Sequence, residues 1–304
     1  MDRPPILGTR GSPLALAQAR QVASALEAAH GWDAGYVQIV PVKTSGDRIQ
    51  DRPLADIGGK ALWTKELDLA LLAGETDFSV HSMKDVESER PPALLIAAVM
   101  ERADVRDRLI GAKSIEALAQ GALVGTSSPR RAAQIRRLRP DIAIAPIRGN
   151  VETRLAKVAA GEFDATLLAA AGLDRLGRGE TGVPLAVEAM LPAPAQAAIG
   201  IECRTADVMT AKLLSAIDHL RSHRAVEAER IFTRALGGTC HSPVAALAIE
   251  EAGELWLRGE ILSEDGAERV AGAVRFASDD PAPPEELAKE LLAKAPEAIC
   301  RLFE

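Results

Sequence analysis

Two stretches of the chain repeat one local pattern, and no other feature constrains the fold as tightly. Residues 6–18 read ILGTRGSPLALAQ and residues 123–134 read LVGTSSPRRAAQ. Each has two apolar residues, Gly-Thr, a Ser-Pro step, and a Gln six residues after that Ser. The physical reading is the same twice. A strand ends, a Gly-Thr turn follows, and Ser12 or Ser128 caps a helix whose first residue is Pro. Such a helix start offers free backbone N–H groups and a positive dipole end, which suits anions. Arg10 stands beside the first copy, and Arg130 and Arg131 beside the second. Two copies with adjacent cations predict two similar domains facing one anionic ligand.

The rest of the chain extends this pattern. Ile6–Thr9, Tyr36–Val42, Phe78–His81, Leu94–Val99, Leu123–Thr126, Ile142–Ile147, Ala165–Ala169 and Ile199–Glu202 read as strands. Helical spacing covers 13–29, 64–73, 129–138 and 151–160, the last with Asn150 as cap and Gly161 as the residue after its end. Strand–helix alternation predicts α/β sheets with parallel strands. The last third changes character. Residues 222–236 form a helical pattern capped by Ser222. Val244–Ile249, Glu254–Leu262 and Arg269–Ala277 read as strands, and 285–303 as a terminal helix, which together predict a small α+β domain.

Composition narrows the function classes. Length 304 allows two domains, with one or three possible. Aromatics are 3%, so the cores must be aliphatic. No run of about 18 uncharged apolar residues exists, so no membrane span is expected. The N-terminal apolar run is too short for a signal peptide, which predicts a cytoplasmic protein. Cys203, Cys240 and Cys300 are widely spaced and form neither a disulfide framework nor a zinc pair. Net charge is −7, yet residues 130–157 hold eight Lys/Arg against Asp141 and Glu152. A local +6 in an acidic chain marks an anion site rather than a general polyanion binder.

Two constellations carry chemistry. His81-Ser82-Met83-Lys84-Asp85-Val86 follows a strand, so its polar residues belong at a strand's carboxyl end, where open α/β sheets bind ligands. Cys240 follows Gly237-Gly238-Thr239, a turn that presents a small side chain without crowding. That thiol reads either as a nucleophile or attachment point, or as a small core residue. Nothing supports a Cys–His couple with His241. Gly58-Gly59-Lys60 is followed by Ala61, which lacks the hydroxyl of a phosphate-binding loop.

Along almost its whole length the chain resembles the porphobilinogen deaminase family. The resemblance rests on Thr9-Arg10, Ser12–Leu16, Gly58–Lys60, Lys65–Leu67, His81–Val86, Gly125–Ser128 with Arg130-Arg131, Arg148–Asn150, Thr153–Leu155, Ala171–Leu173, Gly200–Glu202 and Cys240. It implies two periplasmic-binding-protein-like α/β domains, 1–99 with 198–217 and 103–193, and a small α+β domain, 221–304. It implies a dipyrromethane cofactor held by a thioether to Cys240. It implies head-to-tail joining of four porphobilinogens with loss of ammonia, then hydrolysis to the linear tetrapyrrole.

The matched residues make physical sense of that chemistry. Every pyrrole carries an acetate and a propionate, and arginine pairs carboxylates bidentately at any working pH. By resemblance, Ser82, Lys84, Asp85, Thr126, Ser127, Ser128, Arg130, Arg131, Arg148 and Gly149 contact the cofactor. Arg10, Ser12, Arg148, Arg154, Arg175 and Gln196 contact substrate. Ammonia loss leaves a cationic azafulvene, and Asp85 matches the carboxylate that stabilises such charge. The resemblance also implies a monomer without nucleic-acid or membrane partners. The chain departs from the family at Pro194-Ala195-Gln196-Ala197, where Val-Gly-Gln-Gly is common, and at Trp63, Glu87 and Thr239, where Phe, Pro and Gly are usual. Two other classes fit the chain less well. A non-catalytic anion-binding protein does not need a third domain with Cys240. A nucleic-acid binder would not be this acidic and poor in aromatics.

Overall fold

The computed structural model describes residues 3–43, 64–237 and 242–303. It divides into two compact units, Met1–Ala103 with Ala197–His223, and Asp104–Gln196 with Arg224–Glu304. In chain order the elements are β1 (Ile6–Arg10), α1 (Pro13–His30), β2 (Gln38–Val42), α2 (Lys65–Leu72), β3 (Phe78–Ser82), β4 (Leu94–Val99), β5 (Asp107–Ile110), β6 (Leu123–Gly125), α3 (Pro129–Leu138), β7 (Ala143–Ala145), α4 (Val151–Ala159), β8 (Ala165–Ala169), α5 (Ala170–Arg175), β9 (Val183–Pro184), β10 (Ile199–Arg204), α6 (Val208–Leu214), α7 (Leu220–Leu236), β11 (Val244–Glu251), β12 (Glu254–Leu262), β13 (Arg269–Ala277), α8 (Ala282–Lys294) and α9 (Glu297–Cys300).

The first unit holds a five-stranded sheet ordered β2-β1-β3-β10-β4. Strand β1 runs parallel to β2 and β3, and β10 runs antiparallel to β3 and β4. The second unit repeats the plan as β7-β6-β8-β5-β9, with β6 parallel to its neighbours and β5 antiparallel to β8 and β9. The sequence repeat is therefore the same strand–helix step at the same place in each sheet. Both expected caps form. Ser12 Oγ accepts from the Ala15 amide at 3.3 Å, and Ser128 Oγ from the Arg131 amide at 3.4 Å, with Pro13 and Pro129 opening the helices. Asn150 caps α4 through the Thr153 amide, and Gly161 follows it with φ +74°.

The cores are aliphatic, as the shortage of aromatics requires. Leu7, Val22, Leu26 and Ile201 fill the first sheet's core, and Leu109, Val124, Ile135 and Leu167 the second's. The remainder of the second unit is the antiparallel sheet β11-β12-β13, covered on one face by α7 and α8 through Phe232, Leu257 and Leu291.

Three local expectations change. Helix α7 begins at Leu220, not after Ser222. The His219 ring takes the capping role, its Nδ1 accepting from the Ser222 amide at 3.3 Å, while Ser222 Oγ accepts from the Arg102 amide. The terminal helix starts early at Ala282 and stops at Lys294, because Pro296 interrupts it before α9. Strand β5 has no clear signal in the sequence, since Asp107 and Arg108 hide its apolar half.

Candidate active site

In the first unit the parallel strands end together, so the residues after β1 and β3 share one edge. Arg10, Gln18, His81, Ser82 and Asp85 line a cavity there of about 30 Å³. The turn Met83–Asp85 carries Lys84 and Asp85 as exposed side chains. Its anchor is Met83, 1% exposed, which packs where Gly200 of β10 has no side chain; a Cβ there would meet the Met83 sulfur at 2.0 Å. The Met83 amide also donates to Ala198 O at 3.1 Å. Ser82 Oγ pairs with Gln18, whose amide nitrogen lies at 2.8 Å.

Beneath this turn lies a buried charge network. Arg90 donates from Nε to Glu202 Oε1 at 2.8 Å, from Nη2 to Asp68 Oδ1 at 2.6 Å, and from Nη1 to Glu87 Oε2 at 2.8 Å. His81 Nε2 lies 3.3 Å from Glu202 Oε2. Burial opposes the Glu202 charge, but His81 and Arg90 outweigh it and hold the carboxyl at about 2. The departure at Glu87 thus has a physical account: it completes the acceptors around Arg90.

In the second unit β6, β7 and β8 are parallel, so Thr126–Ser128, Arg148-Gly149 and α5 follow strand ends at one edge. Ser127 Oγ donates to Ile147 O at 2.8 Å, and Thr126 Oγ1 accepts from the Ser128 amide. Gly149 has φ +109°, and a Cβ there would meet Thr153 at 2.6 Å. Only glycine fits this approach. Arg154 Nε donates to Gly149 O at 3.0 Å. Arg175 is half-buried; desolvation pushes it down to about 10, only partly offset by Asp174. A carboxylate ligand beside it would offset that desolvation.

Arg130 and Arg131 are 3% and 6% exposed. Both pair with Asp107, Arg130 Nη2 at 2.8 Å and Arg131 Nη2 at 2.7 Å. Arg130 Nη1 also donates to Gln134 Oε1 and Leu191 O, and Arg131 Nη1 to Leu167 O. Burial works against the Asp107 charge, but the two guanidiniums overcome it and hold the carboxyl below the usual range. The Nε–H of each arginine is buried without an acceptor among the described residues. A buried donor without a partner is costly, and a ligand carboxylate would satisfy it. In this respect the residues present fit a carboxylate-rich pyrrole cofactor.

Gln196 is fully buried, with Nε2 donating to Val105 O at 2.8 Å and Asp107 Oδ1 at 3.0 Å. On either side of it Ala195 and Ala197 adopt φ of 57° and 71°. The conformation that the family's glycines would take is kept here by alanines. The Ala195 amide donates to Glu229 at 2.5 Å. Cys240, with Gly238, Thr239 and His241, lies outside the described residues, as do Gly58–Lys60 and Trp63.

Sequence reasoning missed Asp107, the pairing of His81 with Glu202, and the roles of Gln18 and Gln134. A signal existed for each glutamine, since both occupy the conserved slot of the internal repeat. For Asp107 the signal was indirect: two adjacent buried arginines require a carboxylate.

Residues 6–212 match the family model described as porphobilinogen deaminase, dipyromethane cofactor binding domain, and residues 223–296 match its C-terminal domain. The chain is 57% identical over 308 residues to a porphobilinogen deaminase of Sphingopyxis alaskensis, covering 99% of this chain and 97% of that protein. It is 48% identical over 298 residues to one of Paracoccus denitrificans, covering 95% and 94%. Among solved structures, a TRAP periplasmic solute binding protein from Desulfovibrio salexigens is similar at 10% identity and TM-score 0.43, covering 73% of this chain and 74% of that one. The chain belongs to the porphobilinogen deaminase family.

Proposed function

We propose that Asp85 is the catalytic carboxylate of this chain and that Cys240 carries the cofactor through a thioether. As a member of its family the chain is a transferase, and its bound dipyrromethane supplies the pyrrole terminus on which four porphobilinogens are joined head to tail with release of ammonia, before hydroxymethylbilane is hydrolysed off. Asp85 accepts from pyrrole N–H groups and opposes positive charge that develops at the reacting ring. Arg130, Arg131 and Arg148 bind cofactor carboxylates, with Ser82, Lys84, Thr126, Ser127, Ser128 and the Gly149 backbone assisting. Arg10, Ser12, Arg148, Arg154 and Arg175 bind substrate carboxylates. Gln196 acts from its buried place on Asp107. The domains run 1–99 with 198–217, 103–193, and 221–304, as the family resemblance implies. The enzyme works as a cytoplasmic monomer on a small-molecule substrate, without nucleic-acid or membrane partners; no described helix is long and apolar enough to cross a membrane.

The observation that carries the reading is the cavity shared by Arg10 and Asp85 at the carboxyl edge of parallel strands. Limiting porphobilinogen should yield a ladder of covalent complexes, resolved by mass in steps of one pyrrole unit. Arg148→Leu should change which rungs accumulate. A wild-type chain that gives no ladder would overturn the reading.

A further inference from the structure

We infer that Glu260, on β12, is a positioning residue that orients Arg130 through Gln134; this rests on the cofactor-binding role proposed for Arg130. Glu260 is 5% exposed and Gln134 3%. Glu260 Oε1 accepts from Gln134 Nε2 at 2.5 Å, and Gln134 Oε1 accepts from Arg130 Nη1 at 2.9 Å. Glu260 Oε2 accepts from Arg269 Nε at 2.7 Å.

The chemistry of the amide makes this chain directional. A glutamine side chain can turn end for end, and its two ends have opposite hydrogen-bonding character. A carboxylate only accepts, so Glu260 forces the amide nitrogen toward itself. The amide oxygen must then face Arg130, where a guanidinium that only donates needs it. Leu191 O also accepts from both Gln134 Nε2 and Arg130 Nη1, so it favours the same amide polarity, but as a neutral acceptor shared with the guanidinium. Without Glu260, the amide loses its charged acceptor, and only the shared Leu191 carbonyl still holds its nitrogen. In the reversed state the Gln134 NH₂ would oppose the Arg130 NH₂, and the guanidinium would turn away. Its buried Nε–H, the donor left for a ligand, would turn with it. Glu260 belongs to the three-stranded sheet that follows Cys240, so the segment proposed to tether the cofactor also sets the arginine that receives it.

The test follows cofactor acquisition by full-length apo chain given porphobilinogen, read by intact mass, with urea midpoints checking that each variant is folded. Wild type should gain two pyrrole units first, ahead of the further rungs of elongation. Glu260→Leu should gain them about tenfold more slowly, the loss of one charge-set hydrogen bond. Gln134→Glu should be slow as well, because it sets two carboxylates together. The swap Gln134→Glu with Glu260→Gln restores an acceptor toward Arg130 and should return to within about twofold of wild type; a purely structural role for a buried ion pair predicts no such rescue. If Glu260→Leu does not fold, the swap decides alone. A folded Glu260→Leu at the wild-type rate, or a swap as slow as Gln134→Glu, overturns the inference. A wild-type chain that gains no pyrrole units overturns the functional reading beneath it as well.

Discussion

Replacing Asp107 with Asn should be among the most damaging near-isosteric changes available in the second unit. Its side chain is fully buried and accepts from Arg130, Arg131 and Gln196. Asparagine keeps the volume but removes the charge, and its NH₂ must face a guanidinium or the Gln196 amide. Two hydrogen bonds to charged groups, at about 1.5–3 kcal/mol each, set a loss of roughly 3–6 kcal/mol. Breaking a buried pair by removing one partner independently gives about 3–5 kcal/mol, so about 4 kcal/mol is expected. Native-state hydrogen exchange of β6 and β8 amides reads this in the affected unit. Adding Arg131→Met to Asp107→Asn removes one stranded charge and should recover at least about 1 kcal/mol, a coupling between touching residues. A loss under about 1 kcal/mol, or no recovery in the double variant, would refute the claim that Asp107 holds both arginines.

Other outcomes follow from the same geometry. Asp85→Asn should stay folded yet lose about a hundredfold or more in turnover, as an electrostatic stabiliser worth roughly 3–4 kcal/mol would; near-normal turnover would remove Asp85 from the catalytic role. The Glu202 carboxyl is held at about 2 against an ordinary 4.5, so its contribution is present above the unfolded value and lost as pH falls through the folded one. Arg90→Met should therefore move acid unfolding to higher pH, and an unchanged acid midpoint would contradict the network. Left-handed alanine costs roughly 1–2 kcal/mol more than glycine, so Ala195→Gly should cost less than Ala198→Gly by about that amount. Equal losses in urea unfolding at the two sites would show that Ala195 carries no strain.

What the sequence made legible was local or repeated. The Ser-Pro caps, the strand before His81 and the glycine at 149 each declare themselves within a few residues. The duplicated sheet followed from the duplicated motif, without any knowledge of pairing. What stayed hidden depends on long-range closure. Asp107 lies 23 residues before Arg130 in a strand too polar to recognise. Glu260 lies 126 residues beyond Gln134, and only packing brings them together. Likewise the basic run 130–157 reads in the sequence as one anion site. Folding separates its members: Arg130 and Arg131 are buried on Asp107, Arg139 pairs with Asp141, and Arg148 and Arg154 remain half-buried at the carboxyl edge.

The central claim is a covalent pyrrole cofactor on Cys240, and intact mass measures it directly. The purified active chain should exceed its sequence mass by two linked pyrrole units and colour with a pyrrole-reactive aldehyde, and Cys240→Ser should abolish both while Cys203→Ser keeps them. Fully active protein at the bare sequence mass, or an adduct that survives Cys240→Ser, would contradict the account.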